Sequence, residues 1–148
     1  MASATLTDDI RDSWSWLGVE PASVVRVNKF GNVVFADAKG RHWRVCPEEL
    51  ECKCIAESTQ AFERLAKEPD FVTDWEMSSL VAVAEAKFGA QPPERCFCLK
   101  IPGVLGGEYD ISNIGTISIG ELMRFCGDAA RQIKDLPPGS QVQLKVVE

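Results

Sequence analysis

Apolar residues change their spacing along this chain, and the changes mark its elements. Between residues 24 and 56 they come in short β-rich runs: Val24 to Val27, Val33 to Ala36, His42 to Cys46 and Glu51 to Ala56. Turn formers separate the runs, at Lys29-Phe30-Gly31-Asn32, at Asp37 to Gly40 and at Pro47-Glu48-Glu49. Such spacing predicts an antiparallel meander of three or four strands. Ahead of it, Thr7-Asp8-Asp9 predicts a helix start. Ile10, Trp14 and Leu17 would form its apolar face, and Gly18 its stop.

From Ser58 the period becomes helical. Phe62, Leu65 and Ala66 share one face, and Pro69 interrupts it at a position suited to a first helical turn. Phe71, Val72 and Trp75 start a new apolar face. Met77, Leu80, Val81, Ala84 and Phe88 continue it up to a cap at Gly89. Arg95 to Ile101 predicts a strand and Thr116 to Ile119 a second, short one. Leu122, Cys126, Ala129, Ala130 and Ile133 then mark a helix face ended by Pro137-Pro138-Gly139. Val142, Leu144 and Val146 alternate, as a closing strand would. The fold class expected is α+β: an antiparallel β-meander with packed helices and a C-terminal strand–helix–strand. At 148 residues the chain suits one domain with a core of its own.

Charge narrows the partners. Ten acids and three bases between Glu48 and Glu85 give −7, while the net charge of the whole chain is −6. A surface without clustered Lys and Arg argues against direct binding of nucleic acid. A basic protein partner suits it better. The plain alternative is a solvated acidic face that keeps the protein soluble. The apolar runs are too short to span a membrane, and residues 1 to 12 lack the basic and apolar regions of a secretory signal. The expected compartment is therefore the cytoplasm, where the six cysteines stay thiols.

Catalytic chemistry is sparse. "IPGVLGGEYDISNIGTI" (101–117) has neither the Lys-Ser/Thr of a phosphate loop nor the spacing of a dinucleotide fingerprint. Asp110, Ser112 and Asn113 suit backbone turns, so the stretch reads as a fold-shaping turn. Cys52-Lys53-Cys54 and Cys96-Phe97-Cys98 fall in expected strands, where residues two apart share a face. They read as small buried apolar side chains rather than zinc ligands, with Cys46 and Cys126 besides. The single histidine, His42, is expected at a surface or interface, with no catalytic partner near in sequence. Trp14 and Trp75 fit a core, while Trp16 and Trp43 are more open.

Three stretches carry a resemblance: "FVTDWEMSSLV", "LGGEYDISNIGTISI" and "RFCGDAARQIKDLPPGSQVQLKV". They resemble bacterial type VI secretion immunity proteins with a GAD-like N-terminal part and a Tdi-type C-terminal domain. The resemblance covers residues 70 to 147 well, and the stretch before it in pattern. It implies a single immunity-type domain over 1–148, with a GAD-like hairpin-rich part at 1–57 and helices plus strand–helix–strand at 58–148. It also implies a cytoplasmic antitoxin that binds and blocks a cognate effector toxin, such effectors often being nucleases. Leu105, Gly106, Gly107, Tyr109, Asp110, Asn113 and Ile114 match one signature. Gly127, Gln132, Ile133, Lys134, Asp135, Leu136, Pro137 and Gly139 match another. Both read as fold-defining turns and helix ends.

The expectation is a non-enzyme with no cofactor, no metal, no nucleic acid and no membrane contact. Its toxin-facing residues are expected in the acidic segment: Glu48, Glu49, Glu51, Glu63, Glu68, Asp70, Asp74, Trp75 and Glu76. The rival readings are a regulatory or scaffold domain for an endogenous partner, and a zinc- or thiol-dependent enzyme.

Overall fold

The computed structural model describes residues 2–137, 139 and 140, with side chains from residue 6 onward except Pro138. The closing strand expected at Val142, Leu144 and Val146 lies outside the described residues. The fold is α+β, with two antiparallel sheets.

The first sheet is the expected meander in the order β1 (Pro21–Val27), β2 (Val33–Asp37), β3 (His42–Cys46) and β4 (Glu51–Ala56). Alternation along β2 sends its residues into two cores. Val33 and Phe35 join Val45 against Ile10 and Trp14 of α1 (Ala2–Trp14) and Leu122, Met123 and Cys126 of α5 (Ile119–Ile133). Val34 points the other way, to Phe62 of α2 (Thr59–Leu65) and Trp75 of α3 (Pro69–Glu76). Helices therefore cover both faces, which is why "VVF" is continuously apolar where a one-sided strand would alternate. Each such side chain contributes roughly 1.5–3 kcal/mol on burial.

The second sheet pairs β5 (Arg95–Leu99) with β6 (Ile114–Ser118), two residues earlier than the strand expected at Thr116 to Ile119. Ile119 instead opens α5, where the Ser118 side chain caps the helix by accepting from the Glu121 N–H. A third core joins Phe97, Leu99 and Ile114 to Val81 and Ala84 of α4 (Ser78–Phe88) and to Phe30 from the β1–β2 turn. Gly31 in that turn has φ +70°, and a Cβ there would stand 2.5 Å from Leu122 Cδ2, so the turn can close on α5 only with glycine.

Three expectations shift. The first helix begins at Ala2 rather than Thr7 and ends at Trp14; a short 3₁₀ turn follows and leaves Leu17 exposed rather than on the core face. The apolar face of Phe71 to Phe88 spans two helices, because Met77 takes a left-handed φ of 48° between α3 and α4. The Asn28 side chain donates to the Trp75 carbonyl at 2.9 Å and stabilises that break. His42 is buried, stacked 4.9 Å from the Phe62 ring with Nδ1 donating to the Gly40 carbonyl. No helix among the described residues is long and apolar enough to cross a membrane.

Candidate functional site

After β3 the chain makes a single 3₁₀ turn, Pro47 to Glu49, and leaves it through Leu50 at φ 49°. Pro47 is suited to a first turn because it lacks an N–H to satisfy. This turn carries Glu48 inward, to 4% exposure, and leaves Glu49 in solvent. A buried carboxylate needs partners. Glu48 Oε1 accepts from Asn32 Nδ2 at 2.9 Å and lies 3.8 Å from the Cys46 sulfur, whereas its Oε2 is buried with no partner among the described residues. Burial pushes the Glu48 carboxyl above the usual carboxylate range, against the hydrogen bond from Asn32 and the charge of Arg44.

Asn32 is the hinge of a longer relay. Its Oδ1 accepts from Arg44 Nε at 3.1 Å and from Nη2 at 2.9 Å. Arg44 stands opposite Val34 in the β2–β3 register and so lies over α3, its guanidinium 5.1 Å from the Trp75 ring. Its remaining arm, Nη1, reaches Asp74 at 2.6 Å. The chain Glu48–Asn32–Arg44–Asp74 thus ties the turn, the meander and α3 together.

Arg44, Cys46, Glu48, Glu49, Glu51, Lys53, Asp74, Met77 and Tyr109 enclose a cleft of about 230 Å³. Four carboxylates face two cations in its walls, and Lys53 is held by Glu51 at 3.3 Å. Tyr109 comes from the glycine-rich loop, and its hydroxyl donates to Glu49 Oε1 at 3.4 Å. Burial, then the charges of Glu49 and Glu48, raise its phenol pKa, so it stays a neutral donor. The loop is pinned by Asn113, whose Nδ2 donates to the Ile101 and Glu108 carbonyls at 2.9 Å and whose Oδ1 accepts from the Ile101 N–H. At Gly107 a Cβ would overlap the Ile101 carbonyl oxygen, so the stretch folds as the turn its sequence suggested. It also does something the sequence did not announce. Ile101, Val104 and Tyr109 are left 46%, 49% and 50% exposed on one short loop beside acidic walls.

Of the nine residues expected to face a partner, the fold gathers Glu48, Glu49, Glu51 and Asp74 at this cleft. Glu63, Glu68, Asp70 and Glu76 are exposed on or beside α2 and α3 but are not among its walls. Trp75 is buried against Val34 and Phe62, with Phe71 stacked 6.0 Å away, so it supports Arg44 from beneath rather than meeting solvent. Arg44, Ile101, Val104 and Tyr109 were not anticipated. The exposed apolar residues of an otherwise turn-like stretch were the available signal for the last three.

A larger cavity of about 510 Å³ lies between α1, β1 and the start of α5, but its Asp9 and Arg124 are already paired at 2.7 Å. Burial makes five of the six thiols poor nucleophiles: it pushes Cys46, Cys52 and Cys96 up to about 12 and raises Cys98 and Cys126 as well, while Cys54 is only half-buried. Among the described residues no three His, Cys, Asp or Glu side chains converge to hold a metal ion.

No curated protein matches the chain. Residues 56–129, half of its length, match the family described as T6SS immunity protein Tdi1, C-terminal. The matched span holds Asp74, Met77 and the whole glycine-rich loop, while Arg44, Glu48, Glu49 and Glu51 precede it. The chain belongs to the Tdi1 C-terminal family of type VI secretion system immunity proteins.

Proposed function

We propose that this chain is a cytoplasmic antitoxin, an immunity-type domain over residues 1–148 with a GAD-like front part, that neutralises a cognate effector by stoichiometric binding. The observation that carries the reading is the meeting of two features at Tyr109: an acidic cleft and a loop with exposed apolar residues. Ile101, Val104 and Tyr109 supply the apolar anchors that hold a complex together. Glu49, Glu51 and Asp74 supply charge that steers a basic surface into place. The exposed acids of α2 and α3, Glu63, Glu68, Asp70 and Glu76, extend the same field and add to encounter rate rather than to residence time. Blocking is by occupation: the effector's substrate is excluded while the carboxylates cover its cleft.

The test is co-expression with the product of the adjacent gene. A toxic product whose toxicity this protein relieves, and with which it co-purifies, supports the reading. A product that is harmless, or that kills regardless and forms no complex, removes it.

A further inference from the structure

Glu48 is an anomaly that the fold itself does not explain. It is 4% exposed, yet only Oε1 is hydrogen-bonded; Oε2 has no partner among the described residues. Leaving a buried acceptor unpaired is costly, and such groups in native proteins call for a reason. The cations in the same cleft are committed elsewhere: Arg44 gives Nε and Nη2 to Asn32 and Nη1 to Asp74, and Lys53 is held by Glu51. Neither reaches Oε2.

We infer that the cleft floored by Glu48 receives one basic side chain, arginine or lysine, from the partner protein. The inference rests on the antitoxin reading and names the chemistry of its contact. A cleft of about 230 Å³ has room for the end of one long side chain. Its walls carry four carboxylates against two paired cations, so an entering guanidinium or ammonium finds Glu49, Glu51 and Asp74 on the way to Glu48. A bare metal ion is the poorer occupant, since among the described residues no three ligands converge there. Oε2 is closed to water in the free protein, so entry requires a wall to give way. Met77 is adaptable by nature, and the Tyr109 ring is held at its tip by one long bond of 3.4 Å. Pairing with a desolvated carboxylate slows dissociation more than it speeds association.

The decisive experiment uses the full chain and the product of the adjacent gene, made as an inactive variant. Affinity is measured for the wild type, for Glu48→Gln and for Glu20→Gln, an exposed acid outside the cleft walls. Glu48→Gln keeps the acceptor that Asn32 uses and loses the charge. It is expected to weaken the complex at least tenfold through faster dissociation, with Glu20→Gln unchanged. Arg→Ala and Lys→Ala variants of the partner then locate the entering residue: one of them should lose affinity for the wild type and lose little more when combined with Glu48→Gln. Unchanged affinity of a folded Glu48→Gln overturns the pocket and leaves the antitoxin reading standing. Loss of affinity with no coupled basic residue also overturns it, since Glu48 then acts through the fold. Absence of any complex with the wild type overturns the antitoxin reading, and the pocket with it.

Discussion

Asn32 donates to Glu48 Oε1 at 2.9 Å while the other Glu48 oxygen has no partner among the described residues, and both residues are buried. The pair is therefore half satisfied, and Glu48 is one of the residues that line the acidic cleft.

Removing the Glu48 charge should stabilise the free protein. The folded pKa is raised, so between the unfolded value and the folded one the native state holds a proton that the unfolded state has lost. Stability then falls as pH rises through that window, and the cost is fully present above the folded pKa. Glu48→Gln is expected to raise the melting temperature at pH 7 by a few degrees, about 1 kcal/mol. The gain should vanish towards pH 4, as thermal melts across pH will show. Higher stability together with weaker partner binding marks a residue kept for contact rather than for the fold.

Asn32 has the opposite expectation. Asn32→Leu removes the acceptor of Arg44 Nε and Nη2 and the donor to Glu48 together, leaving the buried Glu48 carboxyl without that donor and Arg44 with Asp74 as its remaining partner in the relay. A loss of about 3 kcal/mol in urea unfolding is expected. A loss below about 1 kcal/mol would show the relay to be dispensable.

Much of this was legible in the chain, and the reasons for the rest are physical. The meander followed from turn formers at Asp37 to Gly40 and Pro47 to Glu49, whose conformations are local. The break between α3 and α4 did not, because Met77 is left-handed where a side chain 49 positions earlier, Asn28, captures the Trp75 carbonyl and touches the Met77 sulfur. Glu48 was singled out as an acid, but its burial depends on Asn32, 16 residues away, and on the left-handed Leu50. Trp75 fits either a core or the acidic segment in sequence, and the helix turns its ring into the core. Spacing predicts which residues share an element; it does not predict which distant polar group will claim one of them.

Asp37 gives a second pH signature. Burial alone would raise its pKa, but hydrogen bonds from Trp43 Nε1, the backbone N–H groups of Arg41 and Lys39, and the Arg41 side chain outweigh it and hold the carboxyl at about 2. A lowered pKa contributes stability above the unfolded value of 3.8, lost as pH falls towards 2. Asp37→Asn should cost about 2 kcal/mol at pH 7, the two proteins converging only as pH falls to about 2. Equal stability at pH 7 would refute it.

Gly127 sets the approach of the first and last helices. A Cβ there would stand 2.5 Å from the Ser13 carbonyl oxygen, a backbone atom of α1 that cannot swing aside. Gly127→Ala should therefore destabilise by about 1–3 kcal/mol despite improving helix propensity. A more stable variant in the same urea titration would contradict this packing.

The central claim is that the cleft and the loop above it form the partner-binding face, and one affinity measurement tests it. Isothermal titration with the inactive product of the adjacent gene compares the wild type with Ile101→Ser/Val104→Ser, whose side chains are about half exposed, 46% and 49%. The account predicts unchanged melting, a one-to-one complex for the wild type, and at least tenfold weaker binding for the double variant. A double variant that binds as tightly as the wild type would place the interface elsewhere and contradict the account.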